Sequence, residues 1–231
     1  MRSGKKKLNN SEHPIKKKRS KAEARSGFRW GEKILDRDEQ HRLRREILLR
    51  TAAQAFNSTS YHTTTLDDLA KRLNVTKPTL YYYIKDKDDI LFECQRMALV
   101  LIRDVLQEET DLKLSGVERL SQFLLRYSEL MTDDFGICLV RTGLRPLKPE
   151  SREILRKFAK QIDYSLRNII EVGIKDGSLR NIEPKLAANA IFGGFNGISN
   201  WYKSDGEFSK EEIANTYIDM FLRATKPEST M

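Results

Sequence analysis

The sequence predicts an all-α fold, and three observations predict it. Beyond residue 31, apolar side chains recur at i, i+3 and i+4 along nearly every stretch, the spacing that lays one stripe along a helix. The alternation expected of strands is almost absent; the threonine run at 63–65 is short and leads into a helical pattern. Helix start signals recur along the chain, and the prolines beyond residue 100 fall between helical patterns.

The elements come in this order. Residues 1–30 carry 11 basic and 2 acidic side chains, so they hold a charge of +9, equal to the formal net charge of all 231 residues. Residues 31–231 balance at 31 basic and 31 acidic. With few large apolar groups, the basic tail cannot offset the entropy of ordering and is expected to be disordered alone. A first helix is expected at 38–57, on the stripe Ile47, Leu48, Thr51, Ala52, Ala55 and Phe56. Thr65, with Asp68 three residues on, opens a short helix that runs to Leu73. Asn74 tolerates the left-handed conformation that the next turn demands. Thr76 caps a third helix with Pro78 in its first turn, and Asp86 caps a longer one from Lys87. Ser115 with Glu118 and Ser209 with Glu212 read as capping boxes, and Gly177 and Gly206 as stops. The final two helices are expected at 184–203 and 209–224.

Several classes of function are excluded on this reading. The longest uncharged run, 186–202, is 17 residues with three asparagines, too short and too polar to span a bilayer. Lys5, Lys6 and Lys7 are followed by no apolar region, so no secretory signal is expected. Cys94 and Cys138 stand in no ligand-like spacing, and a reducing cytoplasm suits them. His13, His41 and His62 do not cluster as metal ligands, and no nucleophile elbow or phosphate loop occurs. Neither catalysis, nor a metal, nor a cofactor is expected.

The informative stretch is 65–89. Leu66, Leu69, Ala70 and Leu73 give the first helix an apolar face, Leu80 and Ile84 give one to the second, and Val75 is expected to plug the turn. This is helix-turn-helix logic, in which the second helix stands proud of a three-helix core and can enter a major groove. Its exposed positions would be Lys77, Thr79, Tyr81, Tyr82 and Tyr83. Lysine can meet a phosphate or guanine, threonine a thymine methyl, and phenols a phosphate. Three consecutive tyrosines cannot share one helix face, so Tyr83 is expected to be partly core.

At these residues the chain resembles the TetR family of bacterial transcriptional regulators. The likeness rests on Thr65-Leu66-Asp67-Asp68-Leu69-Ala70, then Val75-Thr76-Lys77-Pro78-Thr79-Leu80-Tyr81-Tyr82-Tyr83, then Lys85-Asp86-Lys87. Asn74 stands where glycine is usual, and Ile84 where phenylalanine is common. The resemblance implies a homodimer on a pseudo-palindromic double-stranded DNA operator, in the cytoplasm and nucleoid-associated. It implies a helix-turn-helix domain at 31–86, after the tail at 1–30, and a helical ligand-binding and dimerisation domain at 87–231. By that likeness Thr65, Lys77, Pro78, Thr79, Tyr81, Tyr82 and Lys87 face DNA.

In the C-terminal part, Gly193, Gly194 and Gly197 lie on one helical pattern at a cost of ~1 kcal/mol each relative to alanine. Close helix approach or a widened cavity would explain them. Ile198, Trp201, Tyr217 and Phe221 are expected at the dimer interface formed by the last two helices. Tyr127, Phe158, Phe192 and Asn196 are expected at a ligand, with Arg141 and Arg145 as an anion clamp at its mouth. The run from Phe192 to Tyr202 resembles the subgroup linked to lipid, steroid or aromatic acid breakdown, whose effectors are often acyl-CoA thioesters. The function so implied is a repressor released by a small apolar or amphipathic effector. The alternative is a constitutive or architectural DNA-binding dimer. The tail would add an arm for phosphates or the minor groove, with Arg25 and Arg29 nearest the folded part.

Overall fold

The first helix, α1, spans Arg37–Thr59 and buries Leu48, Leu49, Ala52, Ala53, Ala55 and Phe56 along one side. The computed structural model describes residues 37–108 and 114–227; the basic tail at 1–30 lies outside them. The buried stripe differs from the expected one at its start. Ile47 is exposed and Leu49 and Ala53 are buried, because α1 packs against neighbouring helices on more than one side.

Two short helices come next, α2 at Leu66–Leu73 and α3 at Lys77–Tyr81. Asn74 joins them at φ 54°, ψ 45°, the left-handed conformation read from its residue type. Leu69, Ala70, Leu80 and Ile84 close the underside, while Val75 is exposed and does not plug the turn. Tyr83 is half-buried against the core, as expected.

From Asp86, whose carboxylate accepts from the Asp89 N–H at 2.8 Å, α4 runs Lys87–Glu108. The boundary drawn at residue 86 thus falls on the cap of a helix that packs on α1 and also on the helices after it. Those are α5 (Gly116–Met131), α6 (Asp134–Thr142), α7 (Pro149–Lys175), α8 (Pro184–Trp201) and α9 (Lys210–Thr225). Both expected capping boxes are present, at Ser115/Glu118 and Ser209/Glu212. Gly177 lies just past the end of α7 at φ 77°, whereas α8 closes at Tyr202, short of Gly206.

Two contacts fix how α5 sits in the bundle. Its start crosses the end of α7 at Gly116 and Gly173, where a Cβ on Gly116 would lie 2.1 Å from the Gly173 Cα. The Gly116 N–H donates to the Asp176 carboxylate at 2.7 Å, so the turn after α7 caps α5. Among the described residues no helix is long and apolar enough to cross a membrane.

Candidate nucleic-acid interface and effector region

Thr65 accepts from the Asp68 N–H at 3.1 Å, and the Asp68 carboxylate accepts from the Thr65 N–H and hydroxyl at 2.9 and 2.7 Å. These bonds hold the Asp68 carboxyl below its usual range. Thr65 is exposed, and its hydroxyl is part of the cap that starts α2. Lys77 is the first residue of α3, and its Nζ lies 3.0 Å from Asp67. Pro78 stands in the first turn beside it, and the Thr79 hydroxyl lies 2.9 Å from that of Thr76. Tyr81 and Tyr82 project outward, Tyr82 with 65% of its surface exposed. One small face therefore presents a cation, a hydroxyl pair and two phenols above a closed apolar underside.

Lys87 turns back onto its own chain. Its Nζ donates to the His62 carbonyl at 3.3 Å and sits 4.3 Å over the Tyr61 ring. Burial holds its pKa below the usual lysine value. The side chain fastens the loop between α1 and α2 onto the start of α4 rather than projecting outward.

Tyr127, Phe192 and Asn196 come together between α5 and α8. The Tyr127 hydroxyl donates to Asn196 Oδ1 at 2.6 Å, and its ring stacks on Phe123 at 5.2 Å and meets Phe192 edge-on at 5.5 Å. Burial pushes the Tyr127 phenol above its usual range, so it remains a donor. Phe195, Tyr217 and Phe221 extend the ring cluster to α9, and Phe221 packs against Gly194, where a Cβ would lie 2.9 Å from its ring. Phe158 is apart from this nest, on α7 beneath Arg103.

Arg141 and Arg145 are held differently. Arg141 Nε donates to the Ser199 carbonyl at 2.6 Å, and its two terminal nitrogens reach the carbonyls of Asn57 and Asn200 at 3.5 Å. It ties α6 to α8 and to the end of α1. Arg145 is exposed in the loop after α6, where its carbonyl accepts from Arg152.

The expected dimer residues also divide. Ile198 is fully buried within its own chain and offers no surface to a partner; Tyr217 and Phe221 are half-buried against Phe195. Trp201 is 45% exposed. It shares the outward side of α8 with Leu186, Ala190 and Gly193. Among the described residues, no heavy atom beyond the adjoining stretch of α8 itself lies within 4 Å of a Cβ built on Gly193 or Gly197. Intrachain packing therefore explains Gly194 but neither of these two.

In the junction between α1 and α6, only the start of α6 is foreshadowed by a sequence pattern. Arg50 donates to Asp133 at 2.8 Å, Gln54 to Asp134 at 2.8 Å, and Asn57 to the Asp134 carbonyl at 2.9 Å. Residues 50, 54 and 57 keep helical spacing, so one side of α1 grips the start of α6. Asp133 itself caps α6, accepting from the Phe135 N–H at 3.0 Å, and the Thr-Asp-Asp run at 132–134 carries that much of the signal.

Residues 48–94 match a family model described as bacterial regulatory proteins, tetR family, and residues 113–225 one described as the tetracyclin repressor-like C-terminal domain. The chain is similar to the fatty acid metabolism regulator protein of Bacillus subtilis (strain 168), 22% identical over 76% of this chain and 92% of that protein. It is 32% identical to the HTH-type transcriptional regulator HbdR of Aromatoleum sp. (strain CIB), over 64% of this chain and 65% of that one. Among solved structures, AibR in complex with isovaleryl coenzyme A and operator DNA aligns with a TM-score of 0.69 and 25% identity, over 77% of this chain and 97% of that chain.

Proposed function

The chain belongs to the TetR family of bacterial regulatory proteins, and from that premise we propose that it is a homodimeric repressor released from its operator by an acyl-CoA thioester. The observation that carries the DNA-binding reading is the exposed face of α3. Lys77, Thr79 and Tyr81 stand exposed on α3 and Tyr82 on the turn that ends it, while Leu80 and, just past the turn, Ile84 are buried beneath them. A rigid base fixes those groups before contact, so little ordering entropy opposes binding.

The effector reading rests on the nest around Tyr127. An acyl group entering there would have to part the packed rings of Phe123, Phe192 and Phe195, and its thioester carbonyl would take the Tyr127 hydroxyl from Asn196. The isovaleryl coenzyme A in the AibR complex supports this chemistry by likeness. Dimerisation is supported by the uncharged outer side of α8, where Gly193 and Gly197 leave room for a second helix to approach. The rival reading, a dimer with no small-molecule input, draws support from the close ring packing around Phe195.

The two readings part in one titration. A duplex obtained by in vitro selection would be followed by fluorescence anisotropy with acyl-CoA thioesters of graded chain length, free coenzyme A and free acids. A coupling of ~1–3 kcal/mol predicts a roughly 5–150-fold loss of operator affinity with the matching thioester. Tyr127→Phe should blunt that response and leave effector-free affinity unchanged. Operator binding indifferent to every thioester would select the constitutive reading.

A further inference from the structure

A second cluster of donors lies outside the helix-turn-helix motif, on the first helix of the same head. Arg37, His41 and Arg44 recur at i, i+4 and i+7 on α1, so they share one side of it. They line a cleft of about 420 Å³ whose other wall is Tyr82 and Tyr83. Arg37 and Arg44 are exposed, and His41 is half-buried against both phenol rings. Its ring lies 5.3 Å from Tyr82 and 4.8 Å from Tyr83, while Tyr82 and Tyr83 meet edge-to-face at 5.0 Å. The Arg45 guanidinium donates to the Tyr83 carbonyl at 3.4 Å and pairs with Glu93, closing the same joint from beneath.

We infer that Arg37, His41 and Arg44, with the Tyr82 hydroxyl, form a second phosphate seat that grips the operator backbone beside α3. The inference rests on the DNA-binding reading, since Tyr82 belongs both to the exposed face of α3 and to this cleft. The donor set suits phosphate: guanidinium groups bind it in a fixed fork, and phenol and imidazole each supply one further donor. The packed rings hold the α1 donors at a set distance from α3, so a duplex seated on α3 meets them without rearrangement. Asp38 stands on the same rim and opposes an anion; two arginines outweigh it. The head is neutral overall, with 11 basic and 11 acidic residues over 31–93, so its grip on the backbone depends on local clusters of this kind.

The test uses the full chain and measures salt dependence on the selected operator and on a scrambled duplex. Each phosphate contact contributes ~0.9 to the slope of log affinity against log salt. Arg37→Gln and Arg44→Gln should each flatten the slope by about 1, the pair by about 2, with equal fold-losses on both duplexes. Arg37→Lys with Arg44→Lys, which keeps the charge, should restore the slope even where the glutamine pair is less stable. Tyr82→Phe should weaken both duplexes equally while retaining the edge-on ring contacts with His41 and Tyr83. A glutamine pair with unchanged slope, or with loss confined to the operator, would overturn the seat. Failure of the unaltered chain to bind any duplex would instead remove the DNA-binding reading beneath it.

Discussion

Lys77 shows how much a residue's role depends on its neighbours. Its pair with Asp67 is exposed on both sides, and the hydrogen bond it donates to that carboxylate raises the lysine's pKa. Exposed pairs of this kind are screened by solvent and add little to folding. Beside DNA the same carboxylate repels phosphate and competes for the ammonium. Asp67→Asn is therefore expected to tighten operator binding several-fold and to leave the urea midpoint nearly unmoved, whereas Lys77→Ala should weaken binding. Weaker binding by Asp67→Asn would show that the carboxylate orients Lys77 instead. Pro78 and Asn74 are legible in the sequence because local rules decide them: a first helical turn that tolerates a missing N–H, and a residue type that tolerates positive φ. Lys87 and Arg141 are not. A long side chain can reach solvent, a ring or a carbonyl, and only the folded surroundings select among these. For Lys87 they supply Tyr61 and the His62 carbonyl, and for Arg141 the carbonyl of Ser199.

At the scale of elements, helix starts are legible and helix crossings are not. A capping box lies within four residues, so Ser115/Glu118 and Ser209/Glu212 can be read directly. The short helix α6 carries the same kind of signal at Asp133, but its length hides any stripe. The crossing of α5 on α7 joins Gly116 to Gly173 across 57 positions, and neither glycine is distinctive alone. The geometry makes the two unequal. A Cβ on Gly116 meets the backbone of Gly173 at 2.1 Å, while one on Gly173 meets the Leu179 side chain at 2.5 Å. Backbone cannot yield without moving a helix; a leucine can change rotamer. Gly116→Ala is expected to cost about 1–3 kcal/mol in chemical denaturation and Gly173→Ala less. The reverse order would mean that α5 slides more readily than Leu179 repacks.

Over the whole molecule, charge and coupling are placed in different parts. The +9 belongs to residues 1–30, and residues 31–231 are neutral overall, so contact between helices is the route the structure offers for an effector to act on DNA binding. The α1–α6 junction offers such a path. Arg50, Gln54 and Asn57 hold the start of α6, and Arg141 joins α6 to the carbonyls of Ser199 and Asn200 at the end of α8. Asn196, at the proposed effector nest, lies one turn before Asn200 on that helix. A shift of α8 would thus reach α1 through two helix ends held by hydrogen bonds. Arg50 and its aspartates are each about one-third exposed, with side-chain exposures of 39%, 32% and 28%, so their attraction is screened. Arg50→Met is expected to lower stability by less than about 1 kcal/mol while largely abolishing the effector's influence on operator affinity. Paired denaturation and anisotropy titrations would check both halves. If the variant keeps the full effector response, coupling runs through the packing of α4 on α7 and the junction only anchors the head.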